Sequence, residues 1–510
     1  MPEQIIEKIK KSILPEWKVC FFASLIIGLF AHLYKITNWI PNWDSLVFRY
    51  DNQNMLAMGR WFLPVACGIS SFYDLPMLAG MMAIIFHALG AVCICKLLDI
   101  KKKMTAGLLG AVVAAFPTVT SVMMYNYVAD GYALAFLLSC IAALLFTKEK
   151  PCYIGAILLI TLSTGIYQAY ITVTIALILL HMIMELIYKD TDIKGWIIKA
   201  IKMLVAGVLG MGLYYLVMTV LLKITGTELL DYQGFDSAAS LESIDIRASL
   251  YWIKENFITY FFDFSKGVSV FTLLNCIIFV VTPILYLIDI IRRRLPVARI
   301  ILTLCCVAFL PVGASALCMI NGSLDYHNLM KMGYVVFYLL LVVQYDGADF
   351  ECAKANLGKL WTIFGICTVL IFNYIVIANV GYHKLNMAYE KSMGTLNRIA
   401  DRLEQTEGSR DIDKLLVLGR LAGSDAYSVN LPPDITGATD AYILRADDEM
   451  IEQSVLCSAL EDYCGLSYDF VHGEERKEIL EMIDADNMNC WPAKDSVSVV
   501  GDVIVIKLGE

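Results

Sequence analysis

The chain has 510 residues, 58% of them hydrophobic and 17% charged, and carries a formal net charge of −9. Ordinary soluble domains hold roughly 25% charged residues, so this composition excludes a wholly soluble globular protein. The acidic excess sits mostly after Lys384, nothing points to nucleic-acid binding, and the fifteen cysteines fall mostly inside apolar stretches (Cys93, Cys95, Cys305, Cys306), where they read as small hydrophobes.

A basic amphipathic stretch, IIEKIKKSI, precedes the first apolar run, and no small-residue cleavage site follows, so no cleavable signal is expected. A bilayer core roughly 30 Å thick needs roughly 20 apolar residues to cross it as a helix. With their flanks, segments 21–33, 77–93, 104–115, 132–146, 154–161, 171–187, 204–222, 268–291, 300–320, 332–343 and 361–380 meet that rule and give about eleven spans. Every second gap is basic: Lys101 to Lys103, Lys148 with Lys150, Lys189 with Lys194, Arg292 to Arg294 with Arg299, and Lys354 with Lys359. Roughly twenty Lys/Arg on that side, against about eight on the other, make it the cytoplasm. The N-terminus is then cytoplasmic, and an odd span count puts the region after Lys384 outside. The outer segments are 38–76, 117–130, 163–170, 225–266 and 321–331.

The first outer segment contains PNWDSLVFRYDNQNMLAMGRWFLP, which packs Asp44, Arg49, Asp51 and Arg60 together. Helical spacing sets Asp44 and Asp51 near one face, two turns apart. Trp39, Trp43 and Trp61 suit a membrane interface. Carboxylates beside an arginine fit a reaction in which an acid group accepts a proton and a cation stabilises a phosphate leaving group. An interfacial helix whose charges face water has the same composition.

In the second outer segment Asp130 opens a span, flanked by Tyr125, Asn126, Tyr127 and Tyr132; it reads as a second acid or as a helix cap. In the third, Tyr167, Gln168 and Tyr170 offer hydrogen bonding and stacking to a sugar, or a polar contact between helices. The last offers Asp325, His327 and Lys331. Lys331 either snorkels to headgroups or binds a lipid phosphate, and a histidine at the mouth of a span also fits an interface residue.

The tail reads as a small mixed α/β module. Residues 384–405 form an amphipathic helix, with Leu385, Met393, Leu396, Ile399 and Leu403 at near-helical spacing. A buried strand follows at 414–420, then helices at 450–460 and 474–483, and strands 497–500 and 503–506 around a Gly501-Asp502 turn. Three cysteines lie here, Cys457, Cys464 and Cys490, so at most one internal pair can form. The tail has no phosphate loop, metal-ligand spacing or nucleophile motif.

NWDSL, NMLAMGRWFLP, the FP…YNYVADGY segment, STGIYQAY, YHNLMKMGY and CWPAKDSVSVVGDVIVIKLG, in this order, together resemble the Gtr-type (GtrII) glucosyltransferases. These are membrane enzymes of the GT-C superfamily that modify bacterial surface polysaccharides such as O-antigen. The resemblance implies a mostly α, polytopic GT-C-like catalytic domain over 1–383, beside the extracytoplasmic α/β domain that span count and patterning give over 384–510. It implies transfer of a sugar, glucose in the family, from a polyprenyl-phosphate donor to an acceptor hydroxyl outside the membrane. The family's first-loop acid falls on Asp44, with Asp51 as its substitute and Asp130 as a second acid. Arg60 is the expected donor-phosphate ligand, completed by His327 and Lys331, and Tyr125, Tyr167 and Gln168 are the expected sugar or acceptor contacts. The implied partners are membrane lipid, the lipid-linked sugar and a cell-surface glycan, with a polyprenyl-phosphate sugar synthase and a flippase in the same pathway. No cofactor and no metal ligands are expected. A transporter of lipid-linked sugars, or a non-catalytic envelope subunit, are the other readings. A carrier usually holds its charges near the midplane, and here they gather at one face.

Overall fold

The computed structural model describes residues 3–4, 7, 12–42, 44–45, 54–71, 73–230, 245–265, 267–319, 326–347, 353–419, 421, 433–438, 449–485 and 487–509. Asp51, Arg49, Trp43 and Asp325, singled out in the sequence, lie outside them. By packing, the chain forms two units. The first comprises Met1–Asn38, Tyr50–Val380 and Asn430–Thr436, and the second Trp39–Arg49, Gly381–Val429 and Gly437–Glu510.

The first unit is helical. Its elements are α1 (Pro15–Thr37), the short α2 (Leu63–Cys67), α3 (Pro76–Leu97), α4 (Lys103–Ala115), α5 (Pro117–Met124), α6 (Ala129–Thr147), α7 (Tyr153–Ile166), α8 (Ile171–Tyr188), α9 (Ile193–Thr225), α10 (Ile246–Phe262), α11 (Val270–Arg293), α12 (Val297–Ala314), α13 (Val335–Val343) and the start of α14 (Ala353–Gln405). Among the described residues nine helices are long and apolar enough to cross a membrane, and two shorter apolar ones, Tyr153–Ile166 and Asn328–Val343, join them. Each of the eleven sequence segments falls on one of these. Pro117 separates α4 from α5, because the residue before a proline is pushed out of the helical region and Phe116 takes ψ 136°. α5 and α13 are buried along their whole length and form the interior of the bundle.

Short 3-10 turns precede the helices at one end of the bundle: Asn126–Val128 before α6, Gln168–Tyr170 before α8 and Asn328–Tyr334 before α13. The other end is tied by charge. Lys359 and Asp289, both nearly buried, pair at 3.0 Å. Lys359 also donates to Gln344 at 2.7 Å, and Tyr188 donates to Asp289 at 2.7 Å, which joins α8, α11, α13 and α14. The basic gaps gather at this same end. The Lys101 and Lys102 amides donate to Asp346, Arg299 donates to the carbonyls of Leu186 and Lys189, and Arg293 lies over the Tyr188 ring.

Residues 361–380 and 384–405, separate in the sequence reading, are one continuous helix, α14. Apolar character gives way to an amphipathic pattern there, but Gly381 alone is too weak a breaker to end a helix.

The second unit contains the end of α14, α15 (Glu449–Cys464), α16 (Gly473–Met482) and a four-stranded sheet of β1 (Lys414–Leu418), β2 (Asp469–Phe470), β3 (Val497–Val500) and β4 (Val503–Lys507) in the order β2-β1-β4-β3. β1 runs parallel to β2 and β4, with Leu416 opposite Val505, and β3 with β4 forms an antiparallel hairpin around Gly501, φ 62°. Both faces are covered, which is why Leu415 to Leu418 of β1 and Val503 to Ile506 of β4 are apolar at every step. Leu415, Val417, Ile504 and Ile506 pack with Leu396, Ile399, Leu403 and Leu460; Leu416, Leu418, Val503 and Val505 pack with Val471 and Ile479. On the surface Lys414 binds Glu475 at 2.7 Å and Asp502 at 2.9 Å, bonds that raise the lysine's pKa and lower that of Asp502. Cys457, Cys464 and Cys490 are free thiols, and burial pushes Cys457 up to about 12.

Candidate active site

The sequence NMLAMGRW folds as a tight turn. Leu56–Met58 form one 3-10 turn and Gly59 follows at φ 72°, a region that favours glycine. The Gly59 amide donates to the Leu56 carbonyl at 2.8 Å, and the Arg60 amide to Met55 at 3.2 Å. The turn is gripped from two other helices. Gln168 Nε2 donates to the Met58 carbonyl at 2.8 Å, the Tyr214 hydroxyl donates to the Gly59 carbonyl at 3.1 Å, and Gln168 donates to Tyr214 at 3.1 Å. A Cβ on residue 59 would stand 2.6 Å from the Tyr214 hydroxyl, so a side chain has neither the space nor the backbone angle there. Trp61 covers Gly165, where a Cβ would come within 2.7 Å of the indole, and the Phe62 amide donates to the Gly165 carbonyl at 2.8 Å. NMLAMGRW and STGIYQAY, remote in the chain, are therefore one packed assembly.

Arg60 emerges from it. Its guanidinium carbon lies 4.8 Å from the centre of the Tyr167 ring, and Nη1 donates to the Tyr132 hydroxyl at 3.2 Å. Tyr132 and Tyr167 stack at 4.5 Å, and Tyr170 meets both edge-on. A planar cation held over an aromatic face keeps its charge and its fork of donors in a fixed place. That is the geometry of a ligand for phosphate or carboxylate.

The family model described as Glucosyl transferase GtrII matches residues 33–344, more than half of the chain. The chain belongs to the GtrII glucosyl transferase family. No curated protein and no solved structure matches it. GtrII membership makes this a membrane glucosyltransferase, and the matched stretch contains Asp44, Arg60, Asp130, Tyr167, Gln168, His327 and Lys331.

In this GtrII protein Asp130 occupies the first turn of α6, 1% exposed, and accepts the Gly131 amide at 2.9 Å. Ser70 is its hydroxyl neighbour, and its Gly131 backbone is packed against Cys67. A second acid, Asp74, acts on it through space. Asp74 is 8% exposed, accepts Asn126 Nδ2 at 2.8 Å, and is the acid whose charge reaches the fully buried Lys35 of α1. Sequence reasoning passed over both Lys35 and Asp74. The available signal was Lys35 itself, since an ionisable residue on an apolar span marks a site by default.

Lys331 lies with its ammonium 5.6 Å from the Tyr260 ring and 5.7 Å from the Tyr326 ring. Burial holds the Tyr326 phenol well above its ordinary pKa, so it remains a neutral donor to the carbonyls of Ala314 and Met330, and it lies within electrostatic reach of Tyr167. His327 opens this turn, and its neighbour Asn328 is fastened to Ser121 at 3.0 Å and, through its amide, to Thr436 at 3.0 Å. The structure thus brings together Arg60, Tyr167 and Gln168, and sets Asp130 two residues before Tyr132. Tyr125 caps α5 at the start of the turn that leads to Asp130.

Asp44 belongs to the second unit. It is half-buried in a turn closed by Asn42, whose Oδ1 accepts both the amide and the hydroxyl of Ser45 at 2.9 Å. Trp39, in the same stretch, donates to the Tyr463 hydroxyl at 3.1 Å.

Proposed function

We propose that the chain transfers a sugar, glucose by its family, from a polyprenyl-phosphate donor to a hydroxyl of an extracytoplasmic polysaccharide or wall polymer. The observation that carries this reading is Arg60, laid on Tyr167 and bonded to Tyr132 at a helix-end site of the bundle. A lipid phosphate reaches a protein at headgroup depth, and a helix end is where a spanning bundle meets that depth. The basic gaps gather at the opposite end of the first unit, which supports an outward-facing site, a cytoplasmic N-terminus and an extracytoplasmic C-terminal module.

In this reading the acceptor oxygen attacks the anomeric carbon. The carbon–oxygen bond to phosphate breaks, and the polyprenyl phosphate leaves with the electron pair. Arg60 meets the charge growing on that phosphate, with Lys331 and His327 as further ligands, while Tyr167, Gln168 and Tyr125 contact the sugars. The acceptor's proton passes to Asp44. A base must meet the acceptor hydroxyl, and Asp44 is half-buried whereas Asp130 is 1% exposed, which favours Asp44 as base and leaves Asp130 a supporting acid.

The test is to incubate the purified protein with radiolabelled polyprenyl-phosphate glucose and isolated wall polymers. Label should move to polymer without a nucleotide sugar. Direct transfer from a nucleotide sugar with no lipid carrier would overturn the donor assignment. Movement of intact lipid-linked sugar across vesicles without transfer would favour a carrier.

A further inference from the structure

Lys35, Asp74 and Asn126 are buried polar groups that the mechanism above does not use, and the last two are hydrogen-bonded. Lys35 sits near the end of an apolar helix, 0% exposed. A lone ammonium in such a place is costly, and Asp74 supplies the opposite charge. Asp74 in turn accepts from Asn126, fully buried, at 2.8 Å. Asn126 opens the 3-10 turn that ends where α6 begins. The first turn of α6 carries Asp130 and Tyr132, and Tyr132 accepts the hydrogen bond of Arg60. One hydrogen bond therefore ties Asp74 to the turn that leads along the backbone to Tyr132, the acceptor of Arg60.

Two further facts separate these groups from ordinary packing. Replacing buried charges of opposite sign by apolar residues of similar volume is often neutral or stabilising, so stability is a poor reason to keep Lys35 and Asp74. Ser71, three residues before Asp74, holds φ 141°, which a serine adopts only where its surroundings over-determine it. Such strain gathers at sites that need a fixed geometry.

Resting on the donor site described above, we propose that Asp74 is a positioning residue for this transferase. Its carboxylate, compensated by Lys35, holds Asn126 and so fixes the turn that presents Tyr132, and through it the Arg60 guanidinium. A misplacement of about 1 Å in such a site costs about 10²-fold in rate.

The experiment measures kcat, donor KM and thermal unfolding of the full-length protein in nanodiscs. Asp74→Asn should lower kcat about 10- to 100-fold. The exchanged pair Asp74→Asn/Asn126→Asp puts a carboxylate and an amide back in contact and should recover most of that loss. If Asp74→Asn does not fold, Lys35→Met/Asp74→Leu removes both charges together and should insert and melt like the wild type while still losing kcat. Wild-type kcat in any folded Asp74 variant overturns the proposal. So does an exchanged pair that melts like the wild type without regaining activity. Each assay is run with lipid-linked and with nucleotide sugar, so that a wrong donor assignment shows in the wild type while the Asp74 effect is read with whichever donor works.

Discussion

Tyr132 and Tyr167 stack with ring planes 8° apart, and Arg60 engages both, one through its hydroxyl and the other through its ring face. The two tyrosines come from the first turn of α6 and the turn before α8, so the arginine is held where two helices begin. Tyrosine supplies two things here, an apolar platform and a hydrogen-bond acceptor. The pair orients the cation through a ring face and a hydroxyl.

Arg60→Ala should weaken use of the lipid donor by about one to two orders of magnitude, since a hydrogen bond to a charged group is worth roughly 1.5–3 kcal/mol. Arg60→Lys should recover only part, because the charge stays and the planar fork is lost. Tyr167→Leu removes the cation–π face, a contact worth about 0.5–2 kcal/mol, and should cost less than Arg60→Ala. Initial rates against donor concentration decide it; an Arg60→Ala rate within about twofold of the wild type would remove Arg60 from the donor site.

Gly59 holds the arginine in register. Gly59→Ala sets a methyl 2.6 Å from the Tyr214 hydroxyl and 2.9 Å from Gln168 Nε2, at a φ of 72°. Strain of this kind costs on the order of 1–3 kcal/mol. The variant should still insert, melt a few degrees lower and lose about tenfold or more of its transfer activity. Thermal unfolding and transfer measured on the same preparation check this, and unchanged activity would mean that the turn tolerates a shift of Arg60.

The spans were legible because bilayer length and apolar composition are local properties of the sequence. So was the hairpin at Gly501, since its two strands are neighbours in the chain. The order of the sheet was not legible: β1 pairs with β4 across a long crossover, and nothing in either strand names its partner. At the site, Arg60, Tyr167 and Gln168 stood out because polar groups are conspicuous in apolar sequence. Lys35 and Asp74 were lost for a different reason. A lysine at the end of a span looks like a flank, and the hydrogen bond that gives Asp74 its place reaches Asn126, 52 residues away. Contacts of that kind exist only once the helices have packed.

The topology makes a separate prediction. If the basic gaps face the cytoplasm and the span count is odd, protease added to intact spheroplasts should cleave after Lys384 and spare the basic gaps around Lys101 and Arg292. Cleavage after Lys384 only in lysed cells would mean that the span count is wrong by one.

Two acids compete for the role of base. Asp44 lies in a turn closed by Asn42 and is half-buried, while Asp130 is almost wholly enclosed, with its carboxylate on the Gly131 amide. Asparagine at either position keeps the volume and removes the proton acceptor. A general base contributes roughly 10²–10⁴ in rate, so Asp44→Asn should lower kcat by that range with donor KM little changed. Asp130→Asn, which retains an oxygen for the Gly131 amide, should lower kcat by about tenfold or less. Single-turnover rates with saturating lipid donor separate the two. A loss below tenfold in Asp44→Asn, together with abolished transfer in Asp130→Asn, would move the base to the first turn of α6.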